Sequence, residues 1–596
     1  MNTLEHYVNM RLAFIHVHDN QEILTTAAIL AEKMSCTIRN ANLIMKKMIE
    51  NEWISWTPQK GRGRQSTLIF HLSLLEASRT HVSRLINEKK LEEAYTFCTW
   101  SELPPSVKGV LLNLLQNQFG FHSSSEFSRR VDVLKIPNDE KIHTLDPAKI
   151  AIVHEAHIVT QIFDTLIKYD KKSNYFQPGL AFAWEEKSSG REWTFYLRKG
   201  VPFHHGKTLT AEDVQYTFNR LRFDENLPTK GLFDIIKEVE MIDEVTVHFI
   251  LKETSYFFLD LISSFYASII PKDVKVDELH PVGTGPFQIG KHDENILTLE
   301  AFTNHFLGRP FLDRIEMWYV PKSYINKLED EGMEHEKTTF KELGSYFFVF
   351  NFNKEGIHHN HYLRLAIQNL LDQQQLVSEL GFPRRMVATS FLVAKSEGST
   401  PVTNSMERAR EYLKLSGYNG ETIKLGTFDF DEAMEDTNWL KERCRSIGLN
   451  LEIISIPLSN IYEKTQMSTC DLFYSGETFE ENELLSYYIL YKSENSVLRF
   501  SLNDSLRDKL DCLLSTVHTK PTIAERMDYI QHIEEWFIKE AMVIFTYHTY
   551  EEQNYHKSLK GIEVTGYGMP DFRRLWVKRS QEDSKNELVS YSIFIP

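Results

Sequence analysis

Between Thr25 and Leu72 the apolar pattern changes period, and this change limits what the chain can fold into. Ala27, Leu30, Ala31 and Met34 recur at helical spacing, and Ile38, Ala41, Met45 and Met48 do so again. Ser35-Cys36-Thr37 between them reads as a short polar turn. Thr25 or Thr26 suits the N-cap of the leading helix, because a hydroxyl there accepts from an otherwise unpaired backbone N–H. Alternation then takes over. Trp53-Ile54-Ser55-Trp56 reads as a strand and Thr57 to Gln65 as a loop, and Leu68, Phe70 and Leu72 lie along a return strand. Leu4, Tyr7, Val8, Leu12 and Ile15 predict one further helix ahead of this unit.

Two short helices joined by a three-residue turn and followed by a hairpin make a winged helix-turn-helix. Its second helix is the one shaped for a DNA major groove. The side of that helix opposite its apolar stripe carries Arg39, Asn40, Asn42, Lys46 and Lys47. Arg39, Asn40 and Asn42 have side chains able to read base edges; Lys46 and Lys47 suit phosphates, or equally an ordinary solvated face. Lys60, Arg62 and Arg64 sit in the hairpin tip, where Gly61 and Gly63 allow close backbone approach to a phosphate chain. Formal charge points the same way: residues 1–130 carry a net +3 and the remainder −19.

The chain of 596 residues has room for several folding units. No run of about 18 apolar residues occurs, which predicts no transmembrane helix. Met1 to Asn20 is interrupted by Glu5, His6, Arg11, His16 and Asp19, so no secretory core is expected. The five cysteines, Cys36, Cys98, Cys444, Cys470 and Cys512, are scattered and never form a C-x-x-C pair. That suits a reducing compartment and no zinc site, and the expected location is the cytoplasm. Residues 76–129 read as a helical connector, with Pro104-Pro105 inside it and Ser123-Ser124-Ser125 as a hinge-like break.

A second set of motifs follows in order. Leu145-Asp146-Pro147, Ile162 to Leu166, Pro178-Gly179-Leu180-Ala181 and Trp184-Glu185 precede Trp193-Thr194-Phe195-Tyr196-Leu197. Phe203-His204-His205-Gly206, Leu209 to Phe218, Val282 to Phe287 and Leu363 to Ile367 come after. Trp193, Phe195 and Leu197 alternate on a strand with one buried face. Thr210 and Asp213 have capping-box spacing ahead of the stripe Val214, Phe218 and Leu221. Gly283 and Gly285 flank Thr284 where a tight turn is expected. In physical terms, all of these build the fold and do not touch a ligand.

Over roughly 430 residues this pattern resembles the oligopeptide/nickel-type, family 5, solute-binding proteins. Joined to the winged helix, the whole resembles the SgrR type of regulator. The resemblance implies a multidomain α+β and α/β chain: a winged helix-turn-helix at 1–75, the connector at 76–129, and a two-lobed type II periplasmic-binding-protein-like sensor at 130–580. Lobe one is expected at about 130–350 with 544–580, lobe two at about 354–543, and a tail at 581–596. Phe348 to Asn353 and Val543 to Tyr547 are the expected hinge strands.

For the ligand site, Asp471, Glu477 and Glu480 are acidic candidates for a cation, although the Trp-x-x-Asp-Tyr run of peptide-binding relatives is absent. Arg384 and Arg385 are candidates for an anion such as a sugar phosphate. His204-His205 and His358-His359-His361 lack a defined ligand set, so no metal is expected. No catalytic motif or cofactor fingerprint is present, and no enzyme activity or cofactor is expected. The partners expected are double-stranded operator DNA and a small solute such as a sugar phosphate or a peptide. No membrane partner is expected, and a homodimer is left open. The function this supports is a ligand-responsive transcription regulator. The alternative is a cytoplasmic solute- or peptide-binding protein whose winged helix is a protein-interaction module.

Overall fold

A computed structural model of the chain describes residues 2–59, 65–126, 129–325, 335–399, 404–556 and 559–578. The expected tail at 581–596 and the wing-tip residues Lys60, Arg62 and Arg64 lie outside the described residues.

The N-terminal unit begins with α1 (Thr3–Ala13), whose N-cap Asn2 and Glu5 form a reciprocal capping box. α2 (Ala27–Lys33) is capped by Thr26, and α3 (Ile38–Glu50) by Thr37. Ser35 between them takes φ 53°, which lets the turn reverse in so few residues. β2 (Ile54–Thr57) and β3 (Ser66–Phe70) form the hairpin, with Trp56 opposite Leu68. The sequence reading missed β1 (Glu22–Thr25), which pairs along the free edge of β3 and completes a three-stranded sheet. At four residues it is too short to show a period.

α4 (Leu74–Asn87), α5 (Leu91–Cys98) and α6 (Pro105–Gln116) do not form a separate connector. Leu74, Val82, Leu91, Leu111 and Leu115 are buried in one core with Tyr7, Leu30, Met45 and Phe70 of the winged helix. That core also takes in Ile296, Trp318, Val320 and Tyr324 of the next domain. The Lys89 ammonium lies 4.0 Å above the Trp318 ring and 3.3 Å from Glu316. The Tyr95 ring packs 4.6 Å from Tyr324, and its hydroxyl donates to the Ser323 carbonyl at 3.3 Å.

The serine run expected to be a hinge is a strand. β4 (Gly120–Glu126) pairs antiparallel with β5 (Arg129–Asn138), Ser123 opposite Asp132 and Ser125 opposite Arg130. A β ladder is built from backbone groups, and Phe121 anchors β4 in the core, so serine content does not loosen it. β4 is the edge of a five-stranded lobe-one sheet, next to β5, 314–319, 296–301 and 287–292. A four-stranded antiparallel sheet from 181–187, 192–197, 246–251 and 236–243 forms the subdomain beside it. Trp193, Phe195 and Leu197 are buried there as expected, and Thr210 and Asp213 form their capping box. Gly283 and Gly285 serve close approach more than a turn: a Cβ on Gly283 would sit 2.1 Å from the Ile162 carbonyl oxygen.

The second lobe is built on a mixed sheet ordered 450–456, 422–428, 472–478, 344–350, 543–545. The expected hinge strands lie inside this sheet, with Phe347 opposite Phe545. The link between the lobes is the antiparallel ribbon of 335–341 with 547–556, in which Lys341 faces Tyr550. The chain then returns to lobe one, where Phe572 meets the His157 ring edge-on at 4.8 Å. No described helix is long and apolar enough to cross a membrane.

Candidate DNA-facing helix and interlobe cavity

Ala41, Ile44, Met45 and Met48 form the buried stripe of α3, and Arg39, Asn40, Asn42, Lys46 and Lys47 are all exposed on its other sides. Ile38, expected inward, is 51% exposed, and Ile44 joins the buried stripe instead. Among the described residues Lys46 has one ion-pair contact, to Glu50 at 3.8 Å on the surface, which leaves its charge able to engage a partner.

The sensor has a cavity of about 360 Å³ between the lobes. Lobe one contributes Asn138, Asp139, Glu140, His154 and Tyr266. The interlobe ribbon and the neighbouring 344–350 strand contribute Glu342, Ser345, Tyr346 and Thr549. Lobe two adds an apolar wall that includes Phe428, Phe430 and Ile461, and the strand end at Tyr474 to Thr478. The lobes also touch directly beside it. The Tyr462 hydroxyl donates to Glu155, Asn482 Nδ2 donates to Asp260 at 2.8 Å, and Asn495 Nδ2 donates to the Lys149 carbonyl at 2.9 Å.

Of the five residues expected at the ligand site, only Glu477 lines this cavity. Burial pushes its carboxyl up to about 8. Glu480 stands just outside, bonded to the Tyr567 hydroxyl where the second lobe meets the returning chain end, and burial raises it to about 7. Asp471 is a structural residue. It pairs with Lys354 at 2.5 Å, and its other oxygen accepts the Lys424 N–H at 2.7 Å.

The arginine pair does not form an anion site. The Arg384 side chain is 1% exposed, and its guanidinium is taken up by Asp436 at 2.6 Å, Glu435 at 2.9 Å and the Glu432 carbonyl at 2.9 Å. Arg385 lies over the Phe382 ring, away from the cavity. With Nε and Nη2 engaged by these groups and the side chain buried away from the cavity, the guanidinium is not placed to hold a phosphate there. The histidines likewise have structural partners: His204 Nε2 meets the Gly285 carbonyl at 3.0 Å, and His358 Nε2 meets that of Asn351 at 2.6 Å. Among the described residues no group of three His, Cys, Asp or Glu could hold a metal ion.

Sequence reasoning missed Asp139, Glu140, His154 and Glu342. They come from three separate segments and share no local motif. Glu140 is raised to about 7 by burial and by the nearby Asp139 and Glu155 carboxylates. His154 is held neutral by burial, its pKa lowered to about 4.

Residues 4–122 match the family described as sugar transport-related sRNA regulator N-term, and residues 175–326 match bacterial extracellular solute-binding proteins, family 5 Middle. The uncharacterised protein YhjP of Bacillus subtilis is 29% identical over 97% of this chain and 100% of its own length. The HTH-type transcriptional regulator SgrR of Yersinia enterocolitica is 23% identical over 93% of this chain and 95% of its own. That of Photorhabdus laumondii is 28% identical over 51% of this chain and 52% of its own. Among solved structures, the periplasmic binding protein DppA of Helicobacter pylori with the peptide STSA superposes with a TM-score of 0.65 at 20% identity, covering 75% of this chain and 98% of that one. The dipeptide-binding protein of a Pseudoalteromonas species with Met-Leu gives 0.66 at 16% identity, over 75% and 100%. These two likenesses establish the fold of the sensor. The family matches and the named relatives give the chain the layout of the SgrR-type regulators it is similar to, an N-terminal unit like theirs joined to a domain like the family 5 solute-binding proteins.

Proposed function

We propose that this protein is a cytoplasmic, DNA-binding transcription regulator whose activity is set by a small solute held between the lobes of its sensor. The observation that carries the reading is the physical union of two parts. An exposed Arg39/Asn40/Asn42 helix face belongs to a unit that shares one core with the lobe closing over the cavity. Solute binding that draws the lobes together therefore acts on a body to which the winged helix is already packed. The solute shifts DNA binding only by as much as its affinities for the two arrangements differ. The regulator names of relatives and the unpaired cysteines support the cytoplasmic part. The binding-protein fold supports a binder in preference to an enzyme.

Fluorescence anisotropy of the full chain with duplex DNA tests this. Lys46→Ala with Lys47→Ala should weaken binding to all sequences and flatten the dependence of log K on log salt by about 0.9 for each phosphate no longer neutralised. Asn40→Ala should instead relax preference at one base pair by about 1–3 kcal/mol. No salt-dependent DNA binding by the parent chain would refute the proposal and favour a protein-contact role for the winged helix.

A further inference from the structure

From the make-up of the cavity we infer that its solute is a compact organic cation, an amine carrying no carboxylate or phosphate, held between Glu140 on one lobe and Glu477 on the other. This rests on the ligand-sensor reading above and specifies its chemistry. Among the described residues no lysine or arginine lines the cavity, and the one imidazole there, His154, is kept uncharged by burial. A phosphate or carboxylate inside would thus meet no cationic donor, and would face Asp139, Glu140, Glu342 and Glu477 instead. Burying an anion without a partner is strongly unfavourable. The Lys322 ammonium, which acts on Glu140, lies outside the lining and is engaged by Asp431 at 3.3 Å.

The carboxylates are not equivalent. Glu342 is already satisfied, accepting from the Thr478 hydroxyl at 2.8 Å and from that of Thr549. Glu140 and Glu477 have no hydrogen-bond or ion-pair partner for their carboxylates among the described residues, although both are half-buried and line the interlobe cavity. An acceptor left bare in such a space favours a donor cation. The apolar wall of Phe428, Phe430 and Ile461 gives the carbon skeleton of an amine a surface to cover. A metal ion fits poorly, because no group of three ligating side chains converges among the described residues.

The arrangement also explains how a cation would favour closure. In the clamp without a cation two unpaired carboxylates lie half-buried, and burial pushes them up to about 7 and about 8. Glu140 feels Asp139, Glu155, His143 and Lys322; for Glu477 burial is the whole cause. Raised carboxyl pKa values mean that the closed form binds more protons than the open one. The empty closed form therefore loses stability as pH rises through 7 and 8. A cation between the lobes removes the penalty.

Isothermal titration of the full chain with 1,4-diaminobutane and with glucose 6-phosphate, at pH 6 and pH 8.5, tests the inference. The diamine should bind, and more tightly at pH 8.5; glucose 6-phosphate should not. Glu140→Gln and Glu477→Gln should each weaken diamine binding at least tenfold while leaving the thermal midpoint equal or higher. Binding of glucose 6-phosphate alone, absence of diamine binding to the folded chain, or undiminished diamine binding to the double variant would each overturn it. DNA anisotropy without added solute, run on the same preparation, shows separately whether the regulator reading stands.

Discussion

Replacing Arg384 separates a structural guanidinium from an anion-binding one. Arg384→Met keeps most of the side-chain volume and removes the charge. Asp436 then remains buried, with only the Tyr474 hydroxyl at 2.6 Å and that of Tyr547 as donors. Removing one partner of a buried pair costs about 3–5 kcal/mol, because the other charge stays in a poor dielectric without compensation. The exposed Glu435 pairing adds little, since surface pairs contribute about 0–1 kcal/mol. The destabilisation should therefore be near the buried-pair figure. It should also be local to the second lobe, around the 431–446 helix, the 472–478 strand and Tyr547. A multidomain chain has no single unfolding free energy, so hydrogen exchange resolved by peptide is the suitable assay. Peptides from 431–446 and 472–478 should lose protection, while those from α3 and β5 should not. Arg384→Met with Asp436→Asn should recover part of the stability, giving a coupling of about 0.5–3 kcal/mol. Unchanged protection together with abolished glucose 6-phosphate binding would refute the reasoning and return Arg384 to an anion-binding role.

Two more predictions follow from burial and packing. Lys89→Ala removes the ammonium above Trp318 and its pair with Glu316, a destabilisation of about 1–2 kcal/mol. Exchange should rise at α5 and at 314–319 while the 472–478 strand stays protected; equal exchange would mean that the winged-helix unit is held elsewhere. His154, His204 and His518 are lowered by burial to about 4 and His157 to about 3, against roughly 6.5 in an unfolded chain. Between those values the unfolded chain binds more protons, so the stability these groups contribute is present above about pH 6.5 and is lost as pH falls toward 4. Urea midpoints at pH 7 and pH 5 should show the drop at pH 5, and a flat profile would contradict it.

What the sequence by itself determined was local and periodic. The N-caps at Thr26 and Thr37, the turn at Ser35, the buried stripe Ala41, Met45 and Met48, the strand Trp193 to Leu197 and the Thr210/Asp213 capping box are all set by residues within one or two turns of one another. Both folds could be read for the same reason, since each rests on runs of such features. Tertiary structure decided everything that depends on meeting across the chain. Ser123 to Ser125 look loose in sequence, but β5 supplies them with backbone partners. Asp471 and Arg384 look free, but Lys354 and Asp436 neutralise them from 117 and 52 residues away. Glu140 and Glu477 come together at one cavity only because the lobes close, and neither neighbourhood announces it. A charge becomes a site or a structural pair according to what faces it, and that partner is chosen by the packing of distant segments, which no local pattern encodes.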